Sequence, residues 1–421
     1  MATRLRRDAH TDRLPDKALA QPALSAVSDS AHADPDDLSH LRIAFISGNY
    51  NCVRDGANRA QNMLVGYLLE RGAAVRIYSP TIDTPAFAPT GDLVSVPSSP
   101  LPFGRKEYRI ARRLPRATRD DIAAFRPSVF HISLPLFHGR SALRLARRMG
   151  LPAVAAMHTR FETYPRYYGL QIFERPLIAA LSRFYRACDG VVAPCASAAR
   201  TMEAMGMARH VGIWTRGTDH SVFTPERRDM AWRRALGLAD DVPVIAFLGR
   251  LVLEKGLGQF ADTVERLRAG GRNFRVLVIG DGPARGLFAE RLGDLAVFTG
   301  YQGGADLGRA LASADMLLNP SDTEAFGNVS LEAMACGIPV VAADATGNSD
   351  IVIDGQTGAL VPTGDIAGYA AALARYLDDP VLRANHAAAA IDRGREFTWD
   401  RANAGMVAAY EAALSATLMA R

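Results

Sequence analysis

Short apolar runs and amphipathic stretches take turns along almost the whole chain, and the alternation occurs twice over. In the first series the runs are "RIAFIS" (42–47), "AVRIYS" (74–79), "SVFHIS" (128–133), "AVAAMH" (153–158), "GVVAPC" (190–195) and "HVGIW" (210–214). A second series follows with "VPVIAFLG", "FRVLVIG", "LAVFTG", "DMLLNPS" and "IPVVAAD". Apolar runs spaced by helical patterns make parallel βαβ units. Two consecutive series therefore predict an α/β chain with two Rossmann-like, doubly wound domains, and 421 residues are too many for one core. Residues 1–38 are polar and poor in aromatics, and read as a flexible tail. The domains are expected at 39–222 and 223–395, with "SVFTPERRDMAWRRALGLADD" (221–241) as a linker plus a short helix. Residues 396–421 read as a helix that crosses back to the first domain. Ligands of such sheets sit outside the carboxyl ends of the strands, so the chemistry is expected there.

Composition narrows the class. A hydrophobic share of 48% with 22% charged residues is ordinary for a globular enzyme. No apolar run approaches the ~18 residues of a membrane span. The basic start "MATRLRRDAHTDRLPDK" has no apolar segment behind it, which argues against a secretory leader. Cys52, Cys188, Cys195 and Cys336 lack metal or redox spacing and read as free thiols of a reducing cytoplasm. Charge is uneven: residues 101–150 hold twelve Lys or Arg against three acids. That segment reads either as a solvated arginine face or as a patch for an anionic surface. No zinc-finger or RNP-like signature accompanies it, so nucleic acid is not expected as a partner.

The motifs cluster in the second series. "TEAFGNVSLEAMACGIPVVA" (323–342) sets Glu324 and Glu332 eight apart around Phe326, Gly327, Asn328 and Val329. "DMLLNPSD" before it reads as a buried strand, and "NVSLEAMACG" as a helix closed by Gly337. The carboxylates should then lie on the order of 10 Å apart. That is wide for a nucleophile beside an acid, and it suits two groups gripping different parts of one long ligand. Upstream, "GRLVLEKGLGQF" puts Gly249, Arg250 and Lys255 at a strand end before a helix. Two cations beside a helix N-terminus make a diphosphate site. The chain has only three lysines, Lys17, Lys106 and Lys255, against 46 arginines, which weakly favours a role for Lys255 over a surface ion pair with Glu254. "IGDGP" (279–283) brings Gly280 to another strand end, where a turn would need the same glycine.

These motifs, in this order and with "DGQTGALV" (354–361) downstream, resemble the retaining glycosyltransferases of family 4 over residues 41–415. The resemblance implies the GT-B architecture, two Rossmann-like domains facing a cleft. It implies that Arg250 and Lys255 bind the diphosphate of a nucleotide sugar. Glu324 and the amides of Phe326, Gly327 and Asn328 would hold the sugar, and Glu332 the ribose hydroxyls. In the first domain Gly56 and Ala57 stand where the family usually has two glycines, which leaves close approach at Ala57 in question. His158 ends a strand, where a lone histidine is usually structural; by resemblance it would hydrogen-bond the donor sugar. Arg216 in "TRG" would reach the phosphates or the sugar, and Asp350 replaces the family's common Glu.

Rival chemistries lack their residues. "ISGNYNCVRDGA" is no dinucleotide fingerprint, a pyridoxal phosphorylase is normally far longer, and the only Asp-x-Asp, Asp34 to Asp36, lies in the tail. A UDP-sugar epimerase or a non-catalytic sugar-nucleotide binder of the same architecture stays open. No metal or other cofactor is expected. "HTRFETYPRYYGL" and "TRGTDHSVFTP" look most like the branches with lipid acceptors, including mannosyl-, glucuronosyl- and sulfoquinovosyl-type enzymes; a soluble or polysaccharide acceptor is the alternative. A lipid acceptor implies peripheral attachment to an anionic leaflet, at the inner face of the cytoplasmic membrane. Arg109, Arg112, Arg113, Arg160, Phe161, Tyr164 and Tyr167 are the residues expected to meet it.

Overall fold

The computed structural model describes residues 36–101, 108–163, 165 and 169–420. The first sheet has seven parallel strands in the order β3-β2-β1-β6-β7-β8-β9. They are β1 (Arg42–Ile46), β2 (Ala74–Ser79), β3 (Asp92–Ser95), β6 (Val129–Ile132), β7 (Ala153–Ala156), β8 (Gly190–Ala193) and β9 (Gly212–Ile213). A separate hairpin pairs β4 (Ser99–Pro100) with β5 (Arg109–Ile110). Helices α1 (Gly56–Glu70), α2 (Arg116–Phe125), α3 (Phe137–Met149), α4 (Glu174–Tyr185) and α5 (Ala196–Ala204) complete this domain.

The second sheet runs β12-β11-β10-β13-β14-β15, again parallel throughout. Its strands are β10 (Val244–Leu248), β11 (Arg275–Ile279), β12 (Ala296–Gly300), β13 (Met316–Asn319), β14 (Val340–Ala343) and β15 (Gly358–Val361). Around it lie α6 (Met230–Ala235), α7 (Leu257–Ala269), α8 (Arg285–Leu292), α9 (Gly304–Ala312), α10 (Asn328–Ala335), α11 (Asn348–Ile351), α12 (Ile366–Asp378) and α13 (Pro380–Arg395). A last helix, α14 (Trp399–Met419), ends the described chain.

Local chemistry explains these elements. Ile43 to Ile46 of β1 are all 0% exposed, because helices cover both faces of a parallel sheet and the strand must be apolar throughout. Asp55 caps α1 by accepting from the Asn58 amide at 2.8 Å, and Leu64, Val65 and Leu68 bury its inner face. Helix α14 starts beyond the second domain yet packs on β7, β8, β9 and α1 of the first. Its Met406, Tyr410 and Ala413 share a core with Phe45, Val154, Val192 and Trp214. Burial at that spacing contributes roughly 1.5–3 kcal/mol for each large side chain, and the Tyr410 hydroxyl also meets His131 Nδ1 at 2.8 Å.

In both sheets the winding direction changes beside the central strand, between β1 and β6 and between β10 and β13. The loops leaving those four strands frame the cleft. Strand β15 and the short elements β3 to β5 go beyond the strands read from the sequence.

Candidate active site

The loop between β13 and α10 carries the two glutamates. Gly327 turns it at φ 98°, a left-handed conformation that glycine adopts without strain. A Cβ there would also stand 2.9 Å from Asn348 Oδ1. Behind the turn, buried Asn348 accepts from Ser330 Oγ at 2.8 Å and from Asn319 Nδ2 at 3.3 Å, tying the loop to β13 and α11. Phe326 anchors it in the core, with its ring 6.0 Å from Phe397. No side-chain hydrogen bond caps the N-terminus of α10, where Asn328 and Val329 begin the helix.

The glutamates have different partners. Glu324 is 8% exposed and accepts from Lys255 Nζ at 2.5 Å. Glu332 accepts from Arg59 Nη1 at 3.1 Å, and Arg59 comes from α1 of the other domain. Burial pushes the Glu332 carboxyl up to about 7, with Arg59 pulling against that rise. Arg250 follows β10 and donates from Nη1 to the Tyr108 hydroxyl at 3.3 Å, again across the cleft. Asp55 sits in the field of Arg250; burial raises its carboxyl, and its bonds to the Asn58 and Ala57 amides and the Arg250 charge oppose the rise. The cations expected to hold a diphosphate thus rest against the cleft's own polar groups.

Further contacts close the two domains together. A Cβ on Gly56 would lie 2.2 Å from Asn328 Nδ2, so the start of α1 abuts the loop that carries the two glutamates. Arg54 donates to the Tyr301 hydroxyl at 3.3 Å and Arg160 to Thr346 Oγ1 at 2.7 Å. Asp350 accepts from the Ser197 amide at 3.1 Å and from the Ser197 hydroxyl, and so caps α5 from the opposite domain. Its backbone carbonyl is held by Arg393 at 3.0 Å.

His158 lies two residues past β7, beside Arg216. Burial first, then the charge of Arg216, then His131 drive its basicity well below the ordinary imidazole range. Gly280 has a packing role: a Cβ there would stand 2.0 Å from the Gly249 carbonyl oxygen, so its bareness lets two backbones meet. Nothing about Gly280 requires a ligand.

The residues expected at a membrane separate into two groups. Arg112 and Arg113 are exposed. Arg109 is half-buried and donates to Ser98 at 3.2 Å, pinning the β4–β5 hairpin. The Arg160 side chain is 15% exposed and paired with Glu162 at 2.9 Å, and Phe161 packs against the core. These three are partly buried and tie into the fold and the domain contact. Tyr164 and Tyr167, like residues 102–107, lie outside the described residues. Exposed apolar side chains gather just downstream at Leu170, Ile172 and Phe173. Beside them a groove of about 650 Å³ is lined by Arg147, Arg175, Arg183 and Arg186 with Ile178 and Met205.

Sequence reasoning missed Arg59, Tyr108, Arg54 and Tyr301, all of which act across the cleft. The one available signal for Arg59 was its place four residues beyond the cap Asp55, early in a helix that opens at the cleft.

Comparison with known proteins agrees with this geometry. Residues 242–379 match the model for glycosyl transferases group 1, and residues 54–222 match that for Glycosyltransferase Family 4. The sulfoquinovosyl transferase SQD2 of Arabidopsis thaliana is 30% identical over 392 residues, covering 88% of this chain and 74% of that protein. A GDP-mannose-dependent alpha-mannosyltransferase of Mycolicibacterium smegmatis is 30% identical over 341 residues, 79% of this chain and 87% of its own. Sucrose-phosphate synthase from Thermosynechococcus elongatus superposes with a TM-score of 0.73 at 21% identity, covering 89% of this chain and all of that one, and shares the fold. With two parallel Rossmann-like sheets closing on a Glu-x7-Glu loop, the chain belongs to the family 4 glycosyltransferases of GT-B architecture and is a glycosyltransferase.

Proposed function

We propose that this enzyme moves a hexosyl unit, with retention, from a nucleoside-diphosphate sugar to a lipid acceptor. The observation that supports the donor most directly is the set of partners in the cleft. Lys255 with Glu324, and Arg59 with Glu332, are charged pairs whose members a nucleotide sugar can engage in place of one another. The diphosphate takes Arg250 and Lys255. Glu324, released from Lys255, and the amides of Phe326, Gly327 and Asn328 receive the sugar, and Glu332 the ribose hydroxyls.

Retention without a carboxylate nucleophile, as the family resemblance implies, means transfer on one face of the sugar. The bond from C1 to the diphosphate oxygen breaks while the acceptor oxygen bonds to C1. The departing phosphate takes the acceptor's proton. Arg250 and Lys255 stabilise the charge that develops on it. Because these two residues supply that positive charge, transfer should survive EDTA.

The acceptor reading rests on the first domain's surface. Leu170, Ile172 and Phe173 beside four arginines combine apolar insertion with attraction to anionic headgroups, about 1 kcal/mol for each basic residue near the surface. Among the described residues no helix is long and apolar enough to cross a membrane, which is compatible with peripheral attachment. The name of one relative, GDP-mannose-dependent alpha-mannosyltransferase, keeps a guanosine donor in view beside a UDP-sugar.

A panel of sugar nucleotides tests the donor by thermal shift: at 100 times its dissociation constant the true donor adds roughly 2.7 kcal/mol. Co-sedimentation with vesicles of rising anionic content tests the surface. No binding at low salt, with full turnover on a water-soluble saccharide, would overturn the lipid reading.

A further inference from the structure

Arg216 occupies a place where a charge is costly. It is 3% exposed, and among the described residues no carboxylate pairs with it. Its Nη1 donates to the carbonyls of Trp214 and Thr215 at 2.8 and 2.9 Å. The guanidinium lies 4.6 Å over the Trp214 ring. Those carbonyls and the ring face offset part of the cost of burying the charge. The other arm, Nη2, stands 3.1 Å from His158 Nδ1.

Guanidinium has five donors and no acceptor. In this contact Nδ1 must therefore offer its lone pair, and a neutral imidazole with a bare Nδ1 carries its proton on Nε2. Nε2 is buried and has no partner in the structure. The Trp214 ring meets the imidazole edge-on at 5.3 Å. His131 is the other titratable group acting on it, itself held neutral by burial, with its protonation point near 3.

We infer that Arg216 is a positioning residue that fixes His158 as a neutral ring with its proton on Nε2, presenting one hydrogen-bond donor to an oxygen of the transferred sugar. The last step rests on the proposed transfer and on His158 being a sugar contact, which the family resemblance implies; the tautomer does not. An unpaired buried N–H is unfavourable, and a sugar oxygen relieves it. The site then favours a hexosyl unit with an acceptor oxygen at that position, whether a hydroxyl or an acidic substituent. It disfavours a sugar lacking oxygen there.

Nitrogen-15 NMR of the full chain with labelled histidine tests this without any donor. The His158 signals, assigned by their loss in His158→Gln, should show the Nε2–H neutral form from pH 5.5 to 8. Arg216→Leu should give mixed tautomers or protonation within that range. Arg216→Lys, which again offers only donors, should restore the wild-type pattern. In turnover, Arg216→Leu should lower kcat about tenfold and add a titration step on the acid side, while free nucleoside diphosphate binds as before. A wild-type His158 carrying its proton on Nδ1, or charged at pH 6, overturns the inference even if Arg216→Leu does not fold. An unchanged tautomer in Arg216→Leu overturns it as well.

Discussion

In the second domain Arg228 and Arg233 share Asp315, Arg291 reaches both Asp262 and Glu265, and Arg272 meets Asp378. In the first, Arg140, Arg147 and Arg186 donate to the carbonyls of Ala180, Ala187 and Gly206. Arg112, Arg113, Arg144, Arg148, Arg175 and Arg183 are all exposed. Sequence counts agree: 25 Lys or Arg against 12 acids over 39–222, but 17 against 22 over 223–395. Surface pairs contribute at most about 1 kcal/mol each, so the contrast says little about stability. It concerns the field. One domain presents a net positive surface, while the other is net negative, with Arg250 and Lys255 among its cations at the cleft.

The sharpest way to break this contrast is to remove those two cations. Lys255→Ala or Arg250→Ala should lower kcat by ~10² or more, the scale for losing a preorganised charge stabiliser. Steady-state kinetics with a labelled nucleotide sugar measures it, and wild-type turnover in Lys255→Ala would contradict the role assigned here.

The two glutamates should part company next. Glu332→Ala should weaken binding of the free nucleoside diphosphate by roughly ten- to a hundredfold, since hydrogen bonds to a charged group contribute about 1.5–3 kcal/mol. Glu324→Ala should spare that affinity and depress transfer. Calorimetry on both variants decides, and equal loss of affinity in the two would end the division of labour.

How far the sequence carried these assignments depended on range. The strands were legible because helices bury both faces of a parallel sheet, which forces apolar runs such as "RIAFI" and "VIAFL". The Glu324 loop was legible because the strand end, Gly327 and the helix start are neighbours in the chain. Arg59 was not, because an arginine on a helix looks the same whether it faces water or a glutamate 273 residues away. Tyr410 and His131 are separated by 279 residues, and no local pattern marks their bond. Strand β15 was read only as a motif, its "GALV" being too short to declare itself. Nor does any local pattern in the basic segment show which apolar residues turn inward: Leu114 is 3% exposed and Tyr108 meets Arg250.

Acid should separate the domains as well. Burial pushes His131, His138 and His158 of the first domain below the ordinary imidazole value of 6.5. The folded form keeps them neutral, while the unfolded chain takes up protons once the pH falls below about 6.5. Their stabilising contribution is therefore complete above that value and shrinks as pH falls, with His131 continuing down to about 3. Each group costs up to roughly 1.4 kcal/mol per pH unit. Hydrogen exchange at pH 5 should show the first domain and α14 opening before the second domain, where His386 is the one buried histidine among the described residues. Earlier opening of the second domain would count against this account.

The smallest expected effect joins the two domains at one bond. Glu332 is useful to a ribose as a carboxylate, yet burial holds its carboxyl near 7. Nucleotide affinity should therefore weaken as pH drops below about 7. The stability sign runs the other way. From about 4.5 to 7 the folded form retains a proton that the unfolded chain has lost, so Glu332 lowers stability as pH rises through that window. Arg59 is the group that opposes the shift, from a side chain that is 39% exposed against 13% for Glu332. Water therefore screens part of its influence. Arg59→Ala should move the binding midpoint upward by a fraction of a pH unit, weakening nucleotide a few-fold at pH 7 and hardly at all above pH 8.5. Arg59→Lys should recover most of the loss, because the charge and not the fork is what matters here. Binding isotherms at pH 6, 7, 8 and 9 for the three proteins give the answer. Parallel curves for wild type and Arg59→Ala would mean that the first domain's cation leaves the ribose site untouched, and that the contrast between the two surfaces stops at the edge of the cleft.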